Sequence, residues 1–218
     1  MIDVQERAKK SRGTSDQAIL EMAWHALEKR RLQGGCLVDV GCGAGDLYST
    51  IAGHFDRYIG ADVVRYDDFP SDAEFCAVDL DSGRVPLPSG TADVVAAVEV
   101  IEHLENPRSF ARELVRLAKP GGWILITTPN QLSFLSLLTL ALKKRFQAFQ
   151  DVHYPTHLTA LLEIDLLRIA GECGLAQVDI EYSLRGRIPL TSRHYPRAFS
   201  RYFPRAFSEN LLLIGQKI

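Results

Sequence analysis

Only four cysteines occur in the 218 residues, Cys36, Cys42, Cys76 and Cys173, and none stands in a C-x-x-C pair, so nothing suggests a disulfide framework or a paired-thiol motif. The opening MIDVQERAKK lacks the apolar core of a secretory leader. These two absences make a reducing cytoplasm the expected setting. No apolar run reaches the roughly twenty residues that a membrane-spanning helix needs. A dominant charge sign is missing as well. With 25 Lys and Arg against 27 Asp and Glu, the net charge is −2, which leaves only local basic patches to attract nucleic acid. What is present is a hydrophobic content of 46%, enough for one good core, and residues 1–218 are expected to form a single domain.

The most informative stretch is LVDVGCGAGD, residues 37–46. A short apolar run ends in a carboxylate and three alternating glycines, Gly41, Gly43 and Gly45, and residues 47–52 can then open a helix. Strand, tight turn and helix in that order mark the first unit of a nucleotide-binding α/β domain. Glycine suits the turn because it allows positive φ and lets backbone approach a ligand closely. The spacing is not that of the dinucleotide fingerprint, and Asp39 and Asp46 flanking the turn would repel a diphosphate. A nicotinamide-dependent oxidoreductase is thereby disfavoured, and a cationic or zwitterionic ligand fits better.

Along the chain, polar residues 1–13 read as a mobile arm. Thr14 and Gln17 have capping-box spacing ahead of a helix that Gly34-Gly35 ends. Residues 58–63 read as a second strand carrying Asp62 about twenty residues beyond the glycines, where an acid can accept both ribose hydroxyls. Residues 75–80 form a short third strand closing at Asp79-Leu80, and the apolar run 92–98 is a buried parallel strand leading into Glu99, Glu102 and His103. Asn106-Pro107 starts a helix through Ala118, and 123–128 is the next strand. Alternating β and α elements imply parallel strands with helices on both faces.

The strings VDVGCGAGD, EVIEHLENP and LAKPGGWILITTPN resemble motifs of the class I S-adenosylmethionine-dependent methyltransferases, particularly the branch of the ubiquinone-biosynthesis O-methyltransferases. That resemblance implies a seven-stranded, mostly parallel, doubly wound sheet with an antiparallel last strand. It implies S-adenosylmethionine as cofactor, its methionine portion at Asp39, Gly41, Gly43 and Gly45, its ribose at Asp62, its adenine at Asp79 with Leu80 against the ring, and Glu99 at the same edge. Asp81 is the alternative to Asp79. The implied reaction is methyl transfer to an oxygen of a small or lipid-linked acceptor.

Glu99, Glu102 and His103 form an E-x-x-E-H string with three readings. His103 is a general base assisted by Glu102, since an imidazole titrates near neutrality. Alternatively Glu99, Glu102, His103 and His157 bind a divalent metal such as Mg2+, a pattern similar to that of the ubiquinone enzymes and of small-RNA 2′-O-methyltransferases. In the third reading His103 only packs beside the following helix.

Residues 131–150 are apolar around much of a helix and then abruptly basic at Lys143-Lys144-Arg145, so they form either a lid over the acceptor or a segment lying in a membrane interface. Residues 158–173 form a further helix, and 177–182 and 211–214 form the last strands. The connection 183–209 carries six arginines and repeats YPRAFS as FPRAFS. Its arginines can clamp an anionic or lipid-linked acceptor or stack on bases. The expected partner is therefore a small-molecule acceptor, with peripheral membrane contact through 131–150. An RNA 2′-O-methyltransferase and a non-catalytic cofactor-binding subunit are the alternatives.

Overall fold

The computed structural model describes residues 4–11, 13–81 and 84–218. Seven strands, β1 (Cys36–Val40), β2 (Arg57–Asp62), β3 (Glu74–Ala77), β4 (Ala92–Ala97), β5 (Ala118–Pro129), β6 (Leu175–Tyr182) and β7 (Asn210–Lys217), form one sheet in the order β3-β2-β1-β4-β5-β7-β6. β1 to β5 pair in parallel, and β7 lies antiparallel between β5 and β6. The antiparallel last strand is as expected, inserted one place in from the sheet edge. β1 is buried along its whole length because both sheet faces are covered. Its alternation sends Val38 and Val40 to the layer holding α4 (Pro107–Leu117) and α6 (Glu163–Glu172), and Leu37 to the layer of α2 (Gln17–Lys29) and α3 (Asp46–Ile51).

Several boundaries differ from the sequence reading, each for a local reason. α2 is capped by Asp16, whose carboxylate accepts from the Ala18 N–H, and not by Thr14. The segment before it is drawn away from the helix because the Ser15 N–H donates to Asp46 at 2.8 Å. Within the stretch read as an arm, residues 4–11 form helix α1 (Val4–Ser11), and the Tyr66 hydroxyl donates to the Ala8 carbonyl and the Ala44 N–H to that of Gly13. Residues 1–3 and Arg12 lie outside the described residues. β3 stops at Ala77, which leaves Asp79 and Leu80 in the following turn. α6 begins at Glu163, since Leu158 and Thr159 instead donate their N–H groups to the Glu102 carbonyl.

The two segments read as acceptor elements stand beside the sheet's carboxyl edge. The apolar insertion forms helix α5 (Phe134–Lys143), and the arginine-rich connection contains a short helix, α7 (Arg197–Tyr202). Four of that connection's arginines are engaged in ion pairs, Arg185 with Asp16, Arg187 with Glu209, Arg197 with Glu21 and Arg205 with Glu163. No helix among the described residues is long and apolar enough to cross a membrane.

Candidate active site

Strand order reverses between β1 and β4, and the carboxyl ends of these neighbours open into a cavity of about 400 Å3. Such a reversal leaves a crevice because the two connections leave in opposite directions. The glycine loop forms one wall. Gly43 has a φ of +51°, and a Cβ there would collide with the Gly13 carbonyl, while a Cβ on Gly41 (φ +81°) would collide with Val100. The loop therefore needs glycine to let the segment before α2 close over it.

Asp62, ending β2, holds this wall in shape by accepting from the N–H groups of Gly43 (2.9 Å) and Val63 (2.7 Å). Burial raises its pKa, against the lowering effect of those same bonds. Asp39 lies deeper, 2% exposed, with Oδ2 accepting from the Tyr58 hydroxyl at 2.6 Å and Oδ1 with no partner among the described residues. Burial pushes its pKa up to about 7. Asp79 and Asp81 line the far end, where the Asp79 carboxylate accepts from the Asp81 N–H and Asp81 accepts from the Glu105 N–H.

The E-x-x-E-H string occupies the opposite wall. Glu99, at φ +55°, accepts from the Thr127 hydroxyl at 3.1 Å and from the Asn210 amide at 3.0 Å. Burial, then the nearby Glu102, raises its pKa well above the carboxylate range. Glu102 is wholly buried on a single 3-10 turn (Ile101–His103). Its Oε2 accepts from the Thr128 hydroxyl at 3.1 Å, its Oε1 has no partner among the described residues, and burial lifts its pKa to about 8. His103 Nδ1 lies 2.9 Å from the Thr156 carbonyl, and His157 Nδ1 lies 2.7 Å from that of Ala148. A carbonyl can only accept, so both rings carry the proton on Nδ1 and present Nε2 as the basic nitrogen. Burial, with His103 adding to it, lowers the His157 pKa to about 4. Glu102, His103 and His157 bring donor atoms within 4.8 Å of one another, and Glu99 is not in that group.

Residues 14–179 match the family model of a methyltransferase domain. The chain belongs to the S-adenosylmethionine-dependent methyltransferases. It is 36% identical over 107 residues to a probable S-adenosylmethionine-dependent methyltransferase of Mycolicibacterium smegmatis, an alignment covering 48% of this chain and 42% of that protein. It is 30% identical over 163 residues to a ubiquinone biosynthesis O-methyltransferase of Burkholderia pseudomallei, covering 69% and 68% of the two chains. The chain spans about half the length of the other first-ranking curated relatives. A S-adenosylmethionine-dependent methyltransferase of Archaeoglobus fulgidus has the same fold, with a TM-score of 0.64 at 18% identity over 99% and 100% of the two chains.

The methyltransferase cavity suits its cofactor chemically: an unpartnered buried carboxylate oxygen at Asp39 matches an ammonium group, and acidic ends at Asp62 and Asp79 match hydroxyl and amino donors. Of the metal set expected from the string, Glu102, His103 and His157 stand together among the described residues and Glu99 lies outside that group. Glu99 is taken up by Thr127 and Asn210, and two imidazoles beside one carboxylate suit a transition ion better than Mg2+, which prefers oxygen ligands. Two ligands each about 2.1 Å from an ion stand at most about 4.2 Å apart, so the group would have to tighten slightly to hold one.

Side chains of α5 and of the 183–209 connection are not among those lining the methyltransferase cavity; Thr156 and His157 close that side instead. Trp24 stacks on His54 at 4.1 Å, and α2 reaches the cavity through Ile19 and Leu20. Thr127, Thr128, Tyr66 and Thr156 were not singled out from the sequence. The two threonines carry a signal in hindsight, as adjacent hydroxyls at the end of an otherwise apolar strand.

Proposed function

We propose that this methyltransferase transfers a methyl group to a hydroxyl oxygen of a small or lipid-linked acceptor, with His103 Nε2 receiving the hydroxyl proton. The single observation that carries the proposal is the bond between His103 Nδ1 and the Thr156 carbonyl, which fixes the basic tautomer at the cavity wall. The name of the Burkholderia relative, a ubiquinone biosynthesis O-methyltransferase, supports oxygen as the target atom and a lipid-linked acceptor.

When bound, the cofactor supplies an electrophilic methyl group on a sulfonium. The chain does the rest. Asp39 receives the ammonium end, Asp62 the ribose hydroxyls and Asp79 the adenine amino group, with Leu80 against the ring. The glycine loop, pressed by Gly13, fixes the depth of the site. The segment carrying Thr156 and His157 covers the acceptor side and excludes water, which strengthens alignment and charge interactions within. Glu102 enters as a buried acid beside His103 that holds the turn in place through Thr128.

A second reading gives Glu102, His103 and His157 a transition ion that would orient and acidify the acceptor hydroxyl. It is favoured by the unpartnered Oε1 of Glu102, since Glu102 belongs to that donor group. Calorimetric titration with S-adenosylmethionine, followed by methyl transfer to catechol-type, carboxylate and RNA acceptors, tests the proposal. Transfer to a phenolic hydroxyl supports it. Transfer to RNA alone, or tight binding without turnover on any acceptor, would favour an RNA methyltransferase or a cofactor-binding subunit.

A further inference from the structure

β1 and β2 run parallel in a register that sets Leu37 opposite Tyr58 and Asp39 opposite Gly60. Residues two apart on a strand share a face, so all four face the layer of α2 and α3. Gly60 offers Asp39 no side-chain partner, and there is no room for one: a Cβ there would lie 2.7 Å from Cys42 Sγ and from the Phe69 ring. The partner comes from one place back on the same face of β2. A short hydroxyl side chain at that position would not span the diagonal, but a tyrosine does, and the Tyr58 hydroxyl donates to Asp39 Oδ2 at 2.6 Å.

The tyrosine ring is itself fixed. Tyr48 of α3 meets it edge-on, with ring centroids 5.0 Å apart, and is tied down where its own hydroxyl donates to Asp72 at 2.6 Å. Burial, then Asp39, raises the Tyr58 pKa well above its usual 10, so the hydroxyl remains a proton donor. Asp39 thus has two unequal oxygens. Oδ2 is occupied by Tyr58, whereas Oδ1 is buried with no partner among the described residues, on a side chain that lines the cofactor cavity. A buried acceptor left without a donor is costly, which marks Oδ1 as the atom kept for a ligand. The other ionisable groups around Asp39 do not supply that donor. Asp62 at the end of β2 and Asp46 at the start of α3 are acids that disfavour its charge, Asp16 at the cap of α2 lines the same cavity, and the Cys42 thiol is held neutral by burial. Only the bond from Tyr58 works against them.

We infer that Tyr58 is a positioning residue for cofactor binding: its hydroxyl fixes Asp39 Oδ2, holds Oδ1 for the ligand and favours the charged carboxylate that an ammonium group needs. The inference rests on the reading of Asp39 as the ammonium site and adds a residue that is not among those lining the cavity, so Tyr58 acts through Asp39 alone. The chemistry it serves is specific. A ligand with a primary ammonium should depend on Tyr58, and a fragment of the same cofactor without that group should not.

Calorimetric titration with S-adenosylhomocysteine across neutral pH tests this on the full chain, Tyr58→Phe, Asp39→Asn and the double variant. 5′-Methylthioadenosine, which lacks the amino-acid end, serves as the control ligand and reports a folded site in every variant. Asp39→Asn should flatten the rise of S-adenosylhomocysteine affinity with pH. Tyr58→Phe should keep the rise but move its midpoint up by about one pH unit, so that affinity is about tenfold lower below the midpoint and recovers above it. Added to Asp39→Asn, Tyr58→Phe should change affinity by less than about twofold, and 5′-methylthioadenosine should bind all four proteins alike. An unmoved midpoint in Tyr58→Phe would overturn the inference. So would a loss of affinity that is equal at every pH and shared by 5′-methylthioadenosine, which would make Tyr58 a packing residue. If Asp39→Asn leaves both affinity and slope unchanged, the ammonium reading of Asp39 fails and the inference falls with it, whereas a flattened slope in Asp39→Asn beside an unmoved midpoint in Tyr58→Phe sinks the inference alone.

Discussion

His103 Nδ1 and the carbonyl oxygen of Thr156 stand 2.9 Å apart, joining the end of β4 to a segment 53 residues further along. The ring's tautomer is therefore set by a residue outside the E-x-x-E-H string. Which of its nitrogens faces the cavity without a proton therefore depends on the cover segment being closed.

Replacing His103 with Gln should lower kcat by about 10² to 10⁴ while sparing cofactor affinity, because a positioned base contributes by accepting a proton only as the methyl group moves. Single-turnover methyl transfer alongside calorimetry separates the two effects. A variant with full kcat would leave His103 a packing role.

Asp39 makes the cofactor site sensitive to pH. Its carboxyl titrates near 3.8 when unfolded and near 7 in the fold, so the folded chain holds the extra proton between those values. Stability attributable to this group is fully present below about 3.8 and lost as pH rises toward about 7, to the extent of roughly 4 kcal/mol. Glu102, raised to about 8, has the same sign over a window reaching higher, whereas His157, lowered from 6.5 to about 4, destabilises the fold at lower pH. Between pH 6.5 and 8 the cofactor-free chain should accordingly become less stable. Over the same range affinity for S-adenosylmethionine should rise, since an ionised Asp39 attracts the ammonium. Asn at position 39 should flatten much of both trends in thermal melts and titrations; unchanged slopes would remove Asp39 from the site.

Gly43→Ala tests the closure of the N-terminal segment. The added Cβ meets the Gly13 carbonyl at a position already at positive φ, so the strap must lift. Overpacking of this kind costs about 1–3 kcal/mol. Cofactor affinity should fall by tenfold or more, with faster proteolysis around Gly13. Normal affinity would show that the strap's closure is unrelated to binding.

The central sheet could be read from the sequence because a strand buried on both faces announces itself as an apolar run, as at residues 94–97, and because the glycine turn has few alternatives. The helix starts were harder. Asp16 outcompetes Thr14 as cap only because Ser15 is pulled toward Asp46, a contact 31 residues away. The place of Asp62 at the cavity was legible from its distance to the glycines, but its hold on the Gly43 N–H was not. The string Glu99 to His103 suggested one ligand set. Its local spacing could not reveal that Thr127 and Asn210 claim Glu99, since those partners come from β5 and β7. The polar inward face of α5, where Ser136 and Thr139 are buried, was hidden for a related reason: a nearly all-apolar helix does not say which side faces inward until its few hydroxyls find their partners.

The donor group of Glu102, His103 and His157 should distinguish among ions by ligand chemistry. Two imidazoles and one carboxylate favour Zn2+ or Co2+ over Mg2+. If the group takes an ion, adding it at about a hundredfold excess over its dissociation constant should stabilise the chain by about 2.7 kcal/mol, read as a rise in thermal midpoint with no acceptor present. Glu102→Gln and His157→Ala should each abolish that rise while leaving the response to S-adenosylmethionine intact. An equal response to Mg2+ would contradict the donor argument. No response to any ion would leave His103 as the base without a metal partner, and turnover should then persist in chelator.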